Sequence, residues 1–243
     1  MILFIFAFLF AQFSNSETTT YYNKNKSQSA SIVCTDLSKN NHCHIVWKFS
    51  GNEIKSPEYN YVFDVDFRAD GKQIVYVSAD GPYEKPNYHI NFVSEDAHLK
   101  SVRYQFAAKS QYTADGNFVT YRIDNDTAKR QYQYIVSDTK GAIVRAHSIF
   151  PFIFPAVMSP TKDRFVYWAE LGHRLFKMVA ADSKTESIGP LFIGLIHHPI
   201  YSPEGYPSWT PDGLHFRYIA VEENLGVVYV IDNVIQKNLP EDF

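Results

Sequence analysis

One pair of acidic side chains in this sequence has a spacing suited to acid–base chemistry. Asp64 and Asp66 lie in the alternating run YVFDVDF, residues 61–67. Because successive residues of a β-strand point to opposite faces, this spacing places both carboxylates on one face. Two carboxyl groups that flank a sugar can cleave a glycosidic bond. Asp64 and Asp66 are therefore the candidate catalytic residues for a carbohydrate-active enzyme.

Other catalytic signatures are missing from the sequence. It contains no Gly-x-Ser-x-Gly elbow, no Walker-type phosphate loop and no dinucleotide-binding glycine pattern. His197 and His198 are adjacent, and neighbours in an extended segment face opposite ways, so joint metal binding by this pair is disfavoured. The sequence predicts neither a cofactor nor a metal site.

The elements that would position these side chains come from a repeat. Four nine-residue segments share one frame and each ends in tyrosine: RADGKQIVY, TADGNFVTY, SPTKDRFVY and TPDGLHFRY, ending at Tyr76, Tyr121, Tyr167 and Tyr218. The steps between these tyrosines are 45, 46 and 51 residues. A second β-rich run that ends in an acid follows each copy at a similar step. A period in the forties with strand-like alternation predicts repeated four-stranded sheets.

Three of the four copies contain an Asp-Gly pair, which is typical of a tight turn. Asp can bond its own backbone, and Gly adopts the left-handed conformation that closes a hairpin. A structural rather than catalytic role is therefore predicted for three pairs: Asp70-Gly71, Asp115-Gly116 and Asp212-Gly213. The third copy has Lys162 in place of glycine, which predicts local strain if the same turn is kept.

The segment WTPDGLHFRYIA resembles the WD-like repeat of TolB-type β-propellers, and the likeness covers roughly residues 62–243. The resemblance implies an all-β fold, a small propeller of about five four-stranded blades. Four clear repeats would supply blades at about 61–106, 107–152, 153–204 and 205–243, and residues 31–60 would supply a partial one. Strands from both chain ends could complete the last blade. The alternatives are that the chain is a fragment of a larger propeller, or that its ring closes only by dimerisation.

Aromatic side chains are the candidate binding residues. The chain has 17 Tyr and 19 Phe, more than the repeat requires. Two aromatic, Pro-containing stretches would lie where blades connect, near the central channel, and suit binding of a protein or a glycan. The candidates are Phe150, Phe152, Phe154, Tyr201, Tyr206 and Trp209. Packing between blades is the alternative role.

The leading hypothesis is a noncatalytic, TolB-like scaffold for protein binding, and the carbohydrate-active or sugar-binding propeller is the alternative.

The N-terminus predicts export. Residues 1–13 are almost entirely apolar, too few to span a bilayer, and small residues precede a cut expected near Ser16. We therefore predict a signal peptide at 1–16, a disordered lead-in at 17–30, and a secreted or periplasmic β-propeller domain at 31–243. An uncleaved anchor is the alternative, since no Lys or Arg precedes the apolar run. A net charge of −3 gives no indication of nucleic-acid binding.

Export changes how the two cysteines are interpreted. Cys34 and Cys43 are the only cysteines, and an even number in an oxidising compartment favours a disulfide across a hairpin. A metal site made from both cysteines, His42 and His44 is disfavoured, because alternate side chains of one strand diverge.

Two segments fit the acceptor sequence for N-glycosylation, Asn25-Lys26-Ser27 and Asn125-Asp126-Thr127. In a eukaryotic host Asn25 and Asn125 would be the modified residues.

Overall fold

The computed structural model describes residues 17–35, 42–82, 85–101, 103–124, 126, 128–195 and 207–236. All regular secondary structure in these ranges is β, and the strands form five antiparallel sheets in sequence order. In the part of the chain described, no helix is long and apolar enough to cross a membrane.

The first three sheets each have four strands in which every strand pairs with its neighbour in sequence. Sheet 1 contains Glu17–Tyr22 (β1), Ser29–Thr35 (β2), His42–Phe49 (β3) and Asn52–Lys55 (β4). Sheet 2 contains Tyr61–Phe67 (β5), Gln73–Asp80 (β6), Asn87–Ser94 (β7) and His98–Lys100 (β8). Sheet 3 contains Phe106–Tyr112 (β9), Phe118–Asp124 (β10), Tyr132–Asp138 (β11) and Ile143–Ala146 (β12).

In the last two sheets the first strand is split into two short pieces that pair with the same neighbour. Sheet 4 contains Phe152–Ile153 (β13), Val157–Met158 (β14), Arg164–Gly172 (β15), Leu175–Asp182 (β16) and Glu186–Phe192 (β17). Sheet 5 contains Gly194–Leu195 (β18), Ser208–Trp209 (β19), Phe216–Glu222 (β20), Gly226–Ile231 (β21) and Val234–Gln236 (β22).

The N-terminal part of the fold corrects two expectations. Residues 17–30 were expected to be disordered, but β1 pairs with β2 from Glu17↔Cys34 to Tyr22↔Ser29. Sheet 1 is therefore complete rather than partial, and β1 is not part of the last sheet. The physical reason is local: three β-branched threonines and two tyrosines in β1 favour an extended strand, although the segment is too polar to form a core by itself.

The four repeat tyrosines occupy equivalent positions. Tyr76, Tyr121, Tyr167 and Tyr218 lie on the second strands of sheets 2 to 5 and are at most 3% exposed. Each ring belongs to a hydrophobic cluster shared between its own sheet and the preceding one. The core therefore consists of successive layers between neighbouring sheets, and the repeated tyrosine fills each layer.

The turns between the first and second strands lie at one face of the molecule, which we call the turn face. The backbone φ angles of Gly71, Gly116 and Gly213 are 70°, 68° and 71°. In each turn the preceding Asp accepts the backbone N–H two residues later, with N···O distances of 2.9–3.0 Å. Neighbouring turns also contact each other: the Gln28 amide donates to the Gly71 carbonyl at 2.9 Å.

Replacing Lys162 with glycine is expected to stabilise the fold. Lys162 has a φ of 54°, in the left-handed region, where a β-carbon costs about 1 kcal/mol. The Lys162→Gly variant should therefore melt about 2–4 °C higher than wild type when thermal unfolding is followed by circular dichroism.

The matched control is Gly116→Lys, which adds a side chain at the equivalent turn of sheet 3. A β-carbon there would lie 3.0 Å from Cγ of Arg68, so this variant should melt lower than wild type. A melting temperature of Lys162→Gly at or below that of wild type would contradict the strain argument.

The predicted disulfide is confirmed. Cys34 and Cys43 are directly paired on β2 and β3, and their sulfurs are bonded. This pairing also excludes the two thiols as metal ligands in the oxidised protein.

Removing the disulfide is expected to lower the free energy of unfolding by about 2–3 kcal/mol, because the unfolded chain gains the freedom of a short open loop. Urea unfolding of a Cys34→Ser/Cys43→Ser variant would measure the loss. Wild type in dithiothreitol should match the variant, and dithiothreitol should not affect the variant itself. An unchanged midpoint on reduction would show that the disulfide adds no stability.

Candidate functional site

The first strands of sheets 1 to 4 line a cavity of about 540 Å³. Its polar lining residues are Tyr21, Asp64, Asp66, Lys109, Ser110, Gln111, Ser159 and Lys162. A second cavity of about 870 Å³ lies at the turn face. Because the two cavities share Asp66, Pro160 and Lys162, we treat them as one channel.

Asp64 lies in a β-bulge in this channel. The register of β5 against β6 shifts between Phe63 and Asp66, and Asp64 has a φ of 54°. Its Oδ2 accepts the backbone N–H of Lys109 at 2.7 Å, and its carbonyl accepts the Ser110 hydroxyl at 2.8 Å. Asp64 therefore bridges sheet 2 to the first strand of sheet 3.

Asp66 makes a second bridge of the same kind. Its Oδ2 accepts the backbone N–H of Tyr112 at 2.8 Å and lies 3.7 Å from Nζ of Lys162 in sheet 4. The structure thus brings both candidate carboxylates to one cavity, although a bulge interrupts the simple alternation between them. Each carboxylate already accepts a backbone amide from the neighbouring sheet, which is a structural role. A catalytic role for Asp64 and Asp66 stays a prediction.

Three charged residues of this channel have left-handed backbones. The φ angles of Asp64, Lys109 and Lys162 are 54°, 59° and 54°. Strained backbone of this kind persists only where the surrounding structure imposes it, and it is often found at functional sites. The repeat marks Lys162 as a non-glycine residue at a glycine turn position, but it marks neither Lys162 nor Lys109 as a site residue. At Lys109 no local sequence signal predicts the left-handed conformation.

Tyr21 adds a phenol to the channel from β1. Burial, and secondly the negative charge of Asp64, raise the pKa of the Tyr21 hydroxyl above its ordinary value. Tyr21 therefore stays neutral at physiological pH and can donate a hydrogen bond into the cavity.

The predicted aromatic binding residues have different environments. Phe150 is only 6% exposed and belongs to the core between sheets 3 and 4. Trp209 is half-buried, and its indole N–H donates to the Val157 carbonyl at 3.0 Å. Phe152 is 36% exposed and Phe154 is partly exposed. Tyr201 and Tyr206, like His197 and His198, lie outside the described residues.

Phe152 and Phe154 belong to a continuous row of aromatic rings on the face opposite the turns. Consecutive ring centroids are 5.1–6.3 Å apart, and none of the seven side chains is fully buried. We call this set the aromatic row: Phe63, Tyr88, Phe106, Tyr132, Phe152, Phe154 and Phe176. Its members lie near the beginnings of the first and third strands of sheets 2, 3 and 4, so the row crosses these three sheets.

Arg122 fixes the middle of the aromatic row. Its guanidinium carbon lies 4.9 Å from the centre of the Phe106 ring, a cation–π contact. Its Nη1 donates to the Ile153 carbonyl at 2.8 Å, which links sheet 3 to sheet 4. The sequence marks neither this arginine nor five of the seven rings, because their proximity depends on three separate sheets.

No protein-family model matches this sequence, and a search of characterised proteins finds no sequence relative. Solved structures do match. The β-propeller domain of the Trilobed protease from Pyrococcus furiosus superposes with a TM-score of 0.60 at 12% identity, over 91% of this chain and 71% of that one. The chain has the fold of a five-bladed β-propeller. Each sheet is one blade, and the first strand of each blade is innermost.

Two further propeller structures show the same likeness. TolB from Acinetobacter baumannii has a TM-score of 0.50 at 13% identity over 90% of this chain, and an acylaminoacyl peptidase from Pyrococcus horikoshii has 0.53 at 12% over 87%. The chain spans about half the length of the TolB chain (52%) and about a third of the peptidase chain (37%). At such low identity these likenesses show the fold alone. Together with the five sheets of the described residues, they confirm the predicted all-β propeller.

The blade boundaries differ from those predicted. Blade 4 ends at Phe192 and blade 5 begins at Gly194, eleven residues before the predicted start at 205. The innermost strand of blade 5 is split into β18 and β19, and the repeat motif marks only β19.

Asn25 lies on the turn face, at the hairpin between β1 and β2, and lines the larger cavity. Its Oδ1 accepts the Ser27 backbone N–H at 3.0 Å. Asn125 lies outside the described residues. Glycosylation of either residue stays a prediction.

Among the described residues, no group of three His, Cys, Asp or Glu side chains converges on a metal position.

Proposed function

We propose that this chain is an exported, noncatalytic β-propeller that binds a segment of another protein through its aromatic row. The observation that carries the proposal is the continuity of the row, seven incompletely buried rings across three blades. Rings that only filled the gaps between blades would be buried like the repeat tyrosines. Aromatic side chains left at a surface are the commonest anchors of protein interfaces.

The orientation of the rings favours a protein partner over a glycan. Neighbouring rings in the row are inclined by 53–88°, so they present edges and faces in alternation. A sugar ring stacks on a flat aromatic face, and a glycan strand would need several such faces in similar orientation. Irregular apolar side chains of a protein segment fit a surface of alternating edges and faces.

Export is the second part of the proposal. The Cys34–Cys43 disulfide supports an oxidising compartment, outside the cell or in a periplasm. The predicted signal peptide, residues 1–16, lies outside the described residues. Similar folds occur in TolB and in peptidases, so the fold alone does not choose a function.

Site-specific photocrosslinking tests the binding surface in the organism that produces the protein. A benzoylphenylalanine at Phe152 should give one discrete crosslinked product with another protein. The same group at Val234, which is 63% exposed on blade 5, is the matched control and should give none. No product from Phe152, or the same product from both positions, would contradict the proposal.

Substitution of Phe152 tests the energetics of the same surface. The Phe152→Asp variant should recover the crosslinked partner about tenfold less well, since a carboxylate would be buried at the interface. The Phe152→Tyr variant should retain binding of the crosslinked partner.

A wild-type chain that hydrolyses a glycan, with the activity lost in Asp64→Ala, would instead establish the carbohydrate-active alternative.

A further inference from the structure

The channel wall has two lysines whose charged ends lack hydrogen-bond acceptors. Nζ of Lys109 is 3.8 Å from Asp64, and Nζ of Lys162 is 3.7 Å from Asp66; both distances exceed hydrogen-bonding range. Within the described part of the chain, neither ammonium group donates a hydrogen bond. The two side chains are 48% and 45% exposed to the channel and its mouth.

The two carboxylates opposite these lysines cannot easily move to meet them. Oδ2 of Asp64 is held by the Lys109 backbone N–H at 2.7 Å, and Oδ2 of Asp66 by the Tyr112 backbone N–H at 2.8 Å. The carboxylates therefore orient the lysines from a distance and leave their donors available. An ammonium group presents three donors, so each lysine can bind a ligand oxygen while it stays near its aspartate.

The backbone supplies an independent observation. Both lysines have left-handed φ angles, 59° for Lys109 and 54° for Lys162, although glycine fills the corresponding turn position of Lys162 in three other blades. A charged side chain kept at a position that favours glycine indicates a function that offsets the local strain.

We infer that the channel binds a small dianion, with Lys109 and Lys162 as the residues that contact its negative charges. The cavity volume of about 540 Å³ is in the range of small-ligand sites. Tyr21 and Gln111 add neutral hydrogen-bonding groups, and Val157 and Met158 add apolar surface for a short carbon skeleton. A dicarboxylate and a phosphorylated small molecule share the chemistry that this wall recognises.

This site goes beyond the proposed protein-binding function. Neither lysine belongs to the aromatic row, and the row lies near the beginnings of the innermost strands, whereas Lys162 lies at the turn face. Failure of one proposal therefore leaves the other intact.

Isothermal titration calorimetry at low ionic strength tests the inference with three probes: succinate, inorganic phosphate and the neutral succinamide. We expect succinate or phosphate to bind with a stoichiometry of one and succinamide not to bind. Binding of succinate alone would identify a dicarboxylate site, and binding of phosphate alone would identify a phosphoryl site. Binding of succinamide as tightly as succinate, or heat from none of the probes, would overturn the inference.

Methionine variants assign the binding to the two lysines, since methionine keeps an unbranched apolar chain and removes the charge. Lys109→Met and Lys162→Met should each weaken binding of the dianion about tenfold. Lys140→Met is the matched control, because Lys140 is exposed at the turn between β11 and β12, and it should bind as wild type does. Equal weakening by all three variants would reveal nonspecific attraction and overturn the assignment.

The glycine variant separates binding from stability. Lys162→Gly should melt higher than wild type and yet bind the dianion about tenfold less well, because the same substitution removes both the strain and the ammonium group. A variant that keeps full affinity would show that Lys162 does not contact the ligand.

Discussion

The Trp168→Ala variant is expected to lose about 3–5 kcal/mol of the free energy of unfolding, the largest effect of any single substitution considered for this propeller. Trp168 is 1% exposed and lies on β15, between blades 4 and 5. Its ring makes edge contacts with Tyr218 at 4.8 Å and with Phe192 at 5.9 Å. Alanine would leave a cavity in that layer, and the rigid strands around it cannot close to fill the space.

Urea unfolding measures this loss, and a melting temperature about 10 °C lower should accompany it. Trp168→Phe retains an aromatic ring and should lose less. Val234→Ala, at a side chain that is 63% exposed, should stay within about 0.5 kcal/mol of wild type. A Trp168→Ala variant within about 1 kcal/mol of wild type would mean that blades 4 and 5 are not packed as described.

The Glu186→Ala variant is expected to lose about 3 kcal/mol, because it removes the shared acceptor of a buried network between blades 3 and 4. The Glu186 side chain is 10% exposed. It accepts the Ser148 hydroxyl at 2.7 Å, the Ser148 backbone N–H at 3.1 Å and the Tyr167 hydroxyl at 3.1 Å. Burial, with the nearby Glu186 charge, raises the pKa of Tyr167 well above its ordinary value, so this hydroxyl remains a donor.

Urea unfolding at neutral pH measures the effect of Glu186→Ala. Glu186→Gln keeps the size and one acceptor oxygen, and it should lose less. Equal stability of Glu186→Ala and wild type would show that water satisfies the three donors as well as the carboxylate does.

The same network predicts a loss of stability in mild acid. The ring of His147 is fully buried and lies 3.7 Å from Glu186. Burial lowers the pKa of His147; Glu186 and Asp182 oppose this effect, and Arg145 adds to it. Because the folded-state pKa is depressed, the unfolded chain takes up the proton first. Stability is therefore fully present above the ordinary histidine pKa of about 6.5 and is lost as the pH falls below it.

The repeat itself supplies the control for this pH effect. Ser56, Ser101 and His147 occupy equivalent positions in blades 1, 2 and 3. The backbone N–H of each donates to a carbonyl on the third strand of its own blade. In all three blades that carbonyl lies two residues after the third-strand residue that forms an isolated β-bridge. His147→Ser should therefore be tolerated in the fold and should reduce the difference between urea midpoints at pH 7.5 and pH 5.5. A difference as large as that of wild type would assign the acid sensitivity to another group.

Local features of this protein follow from its sequence. The Asp-Gly turns need only four neighbouring residues, and the disulfide joins cysteines on adjacent strands. The repeat tyrosines mark the second strands of blades 2 to 5, because each fills the equivalent buried position between neighbouring blades. For these features the spacing of the residues in the sequence is enough to predict the local geometry.

Other features depend on pairing and packing that no spacing in the sequence indicates. The strand β1 is polar, and only its pairing with β2 shows that it completes blade 1. The bulge at Asp64 forms where the next blade offers the Lys109 amide, 45 residues away. Neither the pairing nor the bulge leaves a periodic signal in the local sequence.

The repeat, the strand-and-turn unit and the cysteine pair could be predicted from the amino-acid sequence, because each depends on contacts within or between neighbouring strands. The exact number of blades could not, since β1, which completes blade 1, contains no copy of the repeat. The three-dimensional arrangement of the blades established which side chains share a surface. It placed the lysines of blades 3 and 4 on one channel wall with the aspartates of blade 2, and it aligned rings from three blades in one row. The physical reason is that blades pack around a common channel, so residues about 45 positions apart become neighbours at distances set by the packing between sheets.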